Sequence, residues 1–395
     1  MKAEPWHHGP MNDWPYPTLL ADVGGTQVRF AIAETPHAAP GLIRVLRTAD
    51  HAGLTEAALA YLASVGRNGA APNPGLASAP GPASAPGAAA ASSGPPAPDA
   101  SSGPGAGPAL VNAPPPASAA LAVATPVAAA RRGPVHLTNT DFAIDGAQLM
   151  ERLRLEALWL VNDFEALAWS LPTLRVEELN PVGSLMPGLD STMAVIGPGT
   201  GLGCAGMLRN ASGWHAIPGE GGHVTLSGRT DFERDVLAAA ADQIDHVSAE
   251  KLLSGIGMPL LYRAVAAVRG HAAASGPLPA PRDITARAVA GNDPLCREVV
   301  DTFCALLGGY AGNVALVYGA TGGVLIGGGI ATHIAGLLDD SAFRSRFEDK
   351  GRFSSYLAAI GTARMTRAQP ALDGLVYALR TALSSLPIQQ AAPPT

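Results

Sequence analysis

The sequence predicts an α/β fold made of two similar halves. Apolar strands alternate with amphipathic helices, as where a strand at 158–161 leads directly into a helical segment at 164–171. Two stretches, 21–32 and 196–208, repeat one plan of apolar strand, glycine–threonine turn and second strand. We therefore expect one hairpin in each half of the chain, with the two hairpins facing each other across a cleft.

The composition indicates a reducing compartment and argues against nucleic acid or a membrane as a partner. The 395 residues carry a net charge of −6, so no basic surface is available to attract nucleic acid or anionic lipid. The three cysteines, Cys204, Cys296 and Cys304, are neither paired by spacing nor clustered. The first residues contain no continuous apolar segment, which predicts no signal peptide and a cytoplasmic location.

One long uncharged stretch has two interpretations, a membrane span or a buried core. No Asp, Glu, Lys or Arg occurs between Cys304 and Asp339. The Gly, Thr, Asn and Tyr residues in this stretch, and the VLIGGGI pattern inside it, favour a buried strand with glycine turns. We therefore expect it to belong to the protein core.

Composition also separates structured regions from flexible ones. Ala, Pro, Gly and Ser dominate residues 67–118, where Asp99 is the only charged side chain after Arg67. Because such a segment has too little apolar surface to offset its ordering entropy, we expect a disordered insertion in a surface loop. We expect residues 1–17 to be a flexible extension and residues 386–395 a flexible tail.

The first hairpin combines a carboxylate with a glycine-rich turn. Asp22 ends the first strand, and Gly24, Gly25 and Thr26 follow it. Two glycines permit positive φ and the close approach of a ligand, while the backbone N–H groups and the Thr26 hydroxyl can donate to an anion. Asp22 can reach a metal ion or a water bound to one. The alternative is an ordinary hairpin with a surface aspartate.

The second hairpin has the related turn Gly199-Thr200-Gly201. Neither hairpin matches a dinucleotide-binding fingerprint, and no lysine follows a glycine as a P-loop requires. Two such hairpins facing each other would instead enclose the phosphates of a nucleotide. The glycines are equally compatible with plain tight turns.

Asn162 and Asp163 lie where a buried strand meets a helix. Asn162 followed three residues later by Glu165 is typical of a capping box, which is the structural alternative to a functional role. The helix N-terminus should keep the Asp163 carboxylate ionised.

Two further acidic segments are candidate sites. Glu220 and His223 flank two glycines. A Glu-x-x-His metal site requires a helix, which those glycines oppose, and no cysteine follows, so we expect no zinc. Glu250 follows Ser248 closely and could simply complement the first turn of a helix expected at 249–253.

Several motifs together resemble those of the bacterial glucokinases of the non-ROK type, which belong to the hexokinase/actin-like ATPase superfamily. The resemblance covers residues 18–66 and 119–383. Its motifs are DVGGTQVRFA (22–31), LVNDFEALAWSLP (160–172), GPGTGLG (197–203), PGEGGHV (218–224), HVSAEKLLSG (246–255), GGVLIGGGI (322–330) and FEDKGRF (347–353).

The resemblance implies a two-lobed actin-like ATPase (ribonuclease H-like) fold with a cleft between the lobes. A smaller α/β domain would span residues 18–173 and be completed by 365–385, and a larger α+β domain would span 174–364. A site split between lobes implies that sugar binding drives closure, which protects ATP from water. The family also implies a homodimer.

The resemblance implies glucose as the acceptor. Asp163 would be the general base for the sugar hydroxyl, because phosphoryl transfer to an alcohol requires a carboxylate to accept its proton. Asn162 would bind the sugar, and carboxylate and imidazole groups would hydrogen-bond its hydroxyls. These groups belong to Glu220, His223 and Glu250.

The resemblance also implies ATP as the donor and Mg²⁺ as the metal. Asp22 would reach the metal directly or through water. The phosphates would contact Gly24, Gly25, Thr26, Gly199, Thr200 and Gly201. The adenosine would pack against Gly327, Gly328 and Gly329.

Three features depart from the family pattern: Gln27 in place of asparagine, Asp373 near the C-terminus, and the insertion at 67–118. A catalytically silent sugar sensor is the alternative from another class, but it should have lost the base or a phosphate turn, and the sequence retains both. A kinase of another sugar, or one that uses polyphosphate, stays open.

Overall fold

Two six-stranded sheets form the framework of the protein. The computed structural model describes residues 14–67, 113–124, 127, 134–136, 142–381 and 389–390. Sheet 1 contains β1 Thr18–Val23, β2 Gln27–Ala33, β3 Gly41–Arg47, β4 Ser118–Val123, β7 Ala157–Asn162 and β14 Gln389–Gln390. Sheet 2 contains β8 Leu179–Pro181, β9 Met193–Pro198, β10 Leu202–Asn210, β11 Gly213–Gly219, β12 Gly323–Ile326 and β13 Thr362–Met365. A separate small pair consists of β5 Val135–His136 and β6 Ala143–Ile144.

Helices connect and cover these sheets. They are α1 Leu54–Ser64, α2 Gly146–Leu153, α3 Asp163–Ser170, α4 Asp231–Ala241, α5 Met258–Val268, α6 Pro281–Ala290, α7 Pro294–Tyr318, α8 Gly329–His333, α9 Ala335–Asp339, α10 Phe343–Glu348, α11 Ser354–Ala358 and α12 Pro370–Thr381.

The two sheets have the same strand arrangement, and five of the six strands also follow the same chain order, while the edge strands β14 and β8 come from opposite ends of their segments. Their strand orders are β3-β2-β1-β4-β7-β14 and β11-β10-β9-β12-β13-β8. In each sheet the first three strands are antiparallel neighbours, the next two join in parallel, and the last is antiparallel. The repeated plan that the sequence shows in its two hairpins therefore extends to the whole sheet.

Helices α3 and α12 lie between the two sheets. One apolar core contains Trp159 of sheet 1, Leu325 of sheet 2, Ala166 of α3 and Leu375 of α12, all buried. Two other cores lie on the outer faces, where α1 and α2 cover sheet 1 and α7 packs behind sheet 2. This layered order puts the beginning of α3 at the junction of the two halves.

Close packing fixes α3 against α12. A β-carbon at Gly374 of α12 would overlap the carbonyl oxygen of Ala166 in α3, so only glycine permits this approach. One turn further along each helix, the rings of Trp169 and Tyr377 lie 6.4 Å apart. The contact between Gly374 and Ala166 therefore sets how closely the two helices pack.

The long uncharged stretch is part helix and part strand. Helix α7 is long and apolar enough to cross a membrane, but 72% of its most apolar window is buried inside the protein. Phe303 and Leu307 of this helix are fully buried in the core behind sheet 2. The strand expected in this stretch is β12, and the stretch before it, up to Tyr318, is helical.

Some expectations about segment boundaries were wrong. Trp14 lies inside the expected flexible extension, yet it is buried and donates a hydrogen bond to Thr18 Oγ1 at 2.8 Å. Gln389–Gln390 lies inside the expected flexible tail, yet it pairs with β7. Buried Arg67, at the start of the expected insertion, donates to the Pro114 carbonyl at 3.0 Å. Most of the insertion, extension and tail lies outside the described residues.

An arginine joins the two connections between the sheets. Arg367, just before α12, donates from Nε to Glu178 Oε1 at 2.9 Å and from Nη2 to Oε2 at 2.5 Å. Its Nη2 also donates to the Thr173 carbonyl at 2.7 Å. Thr173 and Glu178 belong to the outgoing connection and Arg367 to the return. Charge-assisted bonds from Arg367 lower the pKa of Glu178 from 4.5 to about 2.

This ion pair makes stability depend on pH with a defined sign. Since the folded-state pKa of Glu178 is lowered, its contribution is complete above about pH 4.5 and is lost as the pH falls towards 2. We expect Glu178→Gln to lower the free energy of unfolding at pH 7 by about 1–2 kcal/mol, because solvent screens part of the interaction of this carboxylate with Arg367. Its deficit relative to wild type should shrink below pH 4.5. Urea unfolding between pH 7 and 3.5 measures this.

Glu177→Gln is the matched control for this prediction, because Glu177 is the exposed neighbour in the same short helical turn. It should unfold as the wild type does at each pH. A Glu178→Gln deficit that stayed constant with pH would contradict the assignment.

Candidate active site

The carboxyl edge of sheet 1 carries the two aspartates that the sequence singled out. Strands β1, β4 and β7 are parallel and in register, with Asp22 aligned to Ala122 and Ala122 to Val161. Asp163 follows β7 at the same edge, two strands from Asp22, a separation of about 10 Å between backbones. In open α/β sheets, ligands bind in the crevice outside this edge.

The start of α3 is capped as expected. Asn162 Oδ1 accepts the N–H groups of Phe164 at 2.9 Å and Glu165 at 3.3 Å. Asp163 Oδ1 also accepts the Phe164 N–H, at 3.0 Å. Because the Asn162 carbonyl oxygen serves the helix, its amide NH₂ is the end that can donate to a ligand.

Asp163 is not the fully ionised carboxylate that its helix position suggested. Burial raises its pKa to about 7, with nearby Asp22 and, more weakly, Glu220 adding to the rise. The Phe164 N–H lowers the pKa but does not compensate for these effects. The expectation from the helix N-terminus is thus corrected, because desolvation and like charges outweigh the helix. The resulting value suits a group that accepts a proton near neutral pH.

Asp22 is the second carboxylate of the edge. Burial raises its pKa, and the Arg29 guanidinium opposes the rise through a bond to Oδ2 at 3.2 Å. The described residues contain no group of three His, Cys, Asp or Glu that could hold a metal ion. Mg²⁺ commonly binds one or two carboxylates together with substrate phosphates, so Asp22 with its second oxygen fits such an ion.

The turn of the first hairpin is tied down by a threonine. Thr48, at the end of β3, donates from Oγ1 to the Gly25 carbonyl at 2.9 Å and from N–H to the Thr26 carbonyl at 3.1 Å. Gly24 donates to the Gln27 carbonyl at 3.0 Å. Neither turn glycine has positive φ, contrary to expectation. The space beside Gly25 is open, so a ligand could approach the backbone there closely.

Glu220 and His223 lie on an exposed loop at the end of β11. Residues Gly221–His223 form one turn of 3₁₀ helix. His223 Nε2 lies 3.9 Å from Glu220 Oε2, and its Nδ1 lies 3.9 Å from Glu250 Oε1. The imidazole therefore lies between the two carboxylates, and together they present donors and acceptors to the cleft.

Glu250 is held by backbone groups and not by a helix. The helix expected at 249–253 is wrong, because this segment forms hydrogen-bonded turns. Glu250 Oε2 accepts the Leu202 N–H at 2.9 Å, and its own N–H donates to the Gly222 carbonyl at 2.8 Å. A β-carbon at Gly201 would overlap the same carboxylate. Glu250 thus connects the Glu220 loop to the turn Gly199-Thr200-Gly201.

The glycine run after β12 lies beside that turn. Strands β9 and β12 are parallel, and Gly327 donates to the Ile196 carbonyl at 2.8 Å. Gly328 has a φ of +86°, and a β-carbon there would overlap the Pro198 carbonyl oxygen. Gly329 has open space beside it and begins α8. The carboxyl edge of sheet 2 therefore carries two glycine segments side by side.

Sequence reasoning missed the residues that support these loops. A β-carbon at Gly219 would lie 2.8 Å from the Tyr318 hydroxyl, and one at Gly221 would lie 3.1 Å from that of Tyr310. The two tyrosines are eight residues apart on one face of α7, so the Glu220 loop rests on that helix. The i, i+8 spacing was the available signal. Phe164 was also missed, although it follows Asp163 directly.

Comparison with known proteins identifies the family. The family model described as Glucokinase matches residues 19–382. The glucokinase of Aromatoleum aromaticum is 40% identical over 370 residues, which cover 93% of this chain and 96% of that protein. The glucokinase of Chromobacterium violaceum is 38% identical over 383 residues, covering 96% and 94%.

Solved structures agree on the fold. A glucokinase from an Antarctic psychrotroph superposes with a TM-score of 0.70 at 30% identity, covering 92% of this chain and 98% of that one. A glucokinase from Balamuthia mandrillaris, solved in complex with glucose, has a TM-score of 0.64 at 17% identity, covering 92% and 93%. The fold is therefore the two-lobed α/β fold of the actin-like ATPases, and the chain belongs to the glucokinase family of ATP-dependent hexose kinases.

Proposed function

We propose that the protein transfers the γ-phosphoryl group of Mg-ATP to the 6-hydroxyl of glucose, giving glucose 6-phosphate and ADP. The observation that carries the proposal is Asp163, a partly buried carboxylate at the edge of the cleft whose pKa is raised to about 7. The family membership and the glucose bound in a structural neighbour support the choice of sugar.

Asp163 is the general base of this proposal. Its carboxylate accepts the proton of the 6-hydroxyl as the oxygen attacks the γ-phosphorus. A base with a pKa near neutrality is deprotonated enough to act and basic enough to take the proton. Before Mg²⁺ binds, Asp22 on the same edge raises that basicity through its own charge.

The other cleft groups bind and orient glucose. Glu220 and Glu250 accept hydrogen bonds from sugar hydroxyls, and His223 between them can donate or accept. The Asn162 amide donates to the sugar beside the reacting hydroxyl. Several fixed donors and acceptors distinguish hydroxyl orientations, which is the basis of selection among hexoses.

The glycine turns hold the nucleotide. Backbone N–H groups of Gly25 and Thr26 face the phosphates from one lobe, and those of Thr200 and Gly201 from the other. The N–H groups of Gly24 and Gly199 bond within their own turns, so these two glycines contact the phosphates only by leaving room for them. Gly327, Gly328 and Gly329 lie against the adenosine. Mg²⁺, held by Asp22 directly or through water, neutralises phosphate charge when bound.

Domain closure completes the site. We propose lobes of residues 18–173 with 365–385, and of 174–364, with Asp163 on the first and Glu220, His223 and Glu250 on the second. Because neither lobe has a full site, glucose drives closure and excludes water that would hydrolyse ATP. We also propose a cytoplasmic homodimer with no nucleic acid or membrane partner.

A coupled assay tests the reaction. Purified protein is given Mg-ATP and a panel of hexoses, and ADP and sugar phosphate are followed separately. Equal amounts of ADP and glucose 6-phosphate, formed only with glucose, are expected. Polyphosphate in place of ATP should give no product. Glucose binding without turnover would overturn the proposal in favour of a sugar sensor.

Removing the base should abolish turnover without unfolding the protein. We expect Asp163→Asn to lower kcat by at least about 100-fold, since general base catalysis contributes 10²–10⁴-fold. Its melting temperature at pH 8 should rise, because a buried charge is removed. Near-wild-type turnover of Asp163→Asn would exclude the mechanism.

The same base predicts a pH profile. In the wild type, kcat/KM should fall about tenfold per pH unit below pH 7, as protonated Asp163 cannot accept a proton.

The neighbouring carboxylate should move that pH profile. We expect Asp22→Asn to shift the acidic limb of kcat/KM to lower pH, because removal of the Asp22 charge lowers the pKa of Asp163. The apparent affinity for Mg²⁺ should fall in the same variant. Asp50→Asn, at an exposed acid of the same lobe, serves as the control and should change neither quantity. An unshifted limb in Asp22→Asn would refute the electrostatic coupling.

A further inference from the structure

Phe164 lies over two glycines of the opposite lobe. A β-carbon at Gly203 would overlap Cδ2 and Cε2 of the Phe164 ring, and one at Gly197 would overlap Cζ. Gly197 and Gly203 are directly opposed partners on β9 and β10. The ring therefore covers a cross-strand glycine pair. Any other residue at these two positions would place a β-carbon where the ring lies.

This glycine pair is the base of the second turn. Residues Gly199, Thr200 and Gly201 connect Gly197 and Pro198 on β9 to β10, and Gly199 donates to the Gly201 carbonyl at 2.9 Å. The glycines at 197 and 203 thus belong to the motif GPGTGLG without facing a ligand themselves. Gly197 and Gly203 instead contact the Phe164 ring.

The backbone of Phe164 is hydrogen-bonded to the proposed base. Its backbone N–H donates to Asp163 Oδ1 at 3.0 Å and to Asn162 Oδ1 at 2.9 Å. One residue therefore connects the carboxylate and the sugar amide to the turn that faces the phosphates. Its side chain is only half-buried, so burial of apolar area alone does not account for this arrangement.

We propose that Phe164 is a positioning residue that sets the distance between Asp163 and the turn Gly199-Thr200-Gly201. In-line transfer requires the attacking oxygen and the phosphorus at about 3–3.5 Å, and a misplacement of about 1 Å costs about 100-fold in rate. The ring is a spacer between the two lobes because the glycine pair admits it to a fixed depth. This inference rests on the proposed function.

Variants on both sides of the contact test the spacer. Phe164→Leu shortens it, and Gly203→Ala pushes the ring away by adding a β-carbon. Each should lower kcat by at least about tenfold, with KM for glucose and for ATP changed less than about threefold. The double variant should lose less than the product of the two single losses, because leucine leaves room for the new methyl group.

Trp169→Phe is the matched control, because Trp169 is a buried aromatic residue of the same helix that faces Tyr377 and not the hairpin. Its kcat at 25 °C should equal that of the wild type. A kcat within threefold of wild type in Gly203→Ala or Phe164→Leu overturns the inference, as does a loss matched by Trp169→Phe. If Phe164→Leu does not fold, Gly203→Ala decides alone. A wild type without glucose-dependent ADP formation overturns the proposed function and this inference together.

Discussion

A helix confined between two sheets is the constraint on which the site depends. Helix α3 carries the small buried residues Ala166 and Ala168 on the side where its neighbours approach. Gly374 of α12 contacts its backbone from one side. Because close-packed interiors respond to one methylene, each of these small residues controls where the helix lies. The position of Asp163, at its first turn, follows from that packing.

The charges at this helix end oppose the stability of the fold. Asp22 and Asp163 lie on the same edge of a sheet, where burial raises the pKa of both, and the charge of Asp22 further raises the pKa of Asp163. Arg29 pairs with Asp22 and lowers the pKa of that carboxylate alone. The protein therefore keeps one carboxylate paired and leaves the other poised near neutrality, as active sites commonly do. Favourable ion pairs elsewhere, such as that of Arg367 with Glu178, offset this cost.

Local sequence signals predicted the strands, the hairpins and the helix cap of the site. Contacts between distant segments determined the conformation around Glu250 and the pKa of Asp163. The strand before Asn162, the cap at Asn162 and the two hairpins follow from periodicity and turn residues, and each is present in the structure. The family resemblance, and no local signal, predicted that Glu220 and Glu250 lie in one cleft. The helix expected around Glu250 failed because backbone partners at Gly222 and Leu202, distant in sequence, stabilise turns there. The raised pKa of Asp163 also depends on burial and on Asp22, which is distant in sequence, so the local sequence did not predict it.

The duplicated topology explains why the site is divided. Each sheet presents its hairpin turn and the ends of its parallel strands at one edge, and ligands bind at such edges. Two copies facing each other create a cleft whose opposite walls carry related turns. The copies then differ in what is added to that shared plan. Sheet 1 adds the carboxylates Asp22 and Asp163, while sheet 2 adds the loop with Glu220 and the glycine run after β12. Under the proposed function neither copy alone would bind sugar and nucleotide completely, so the reaction would require their closed arrangement, and a residue that contacts both copies would affect its geometry.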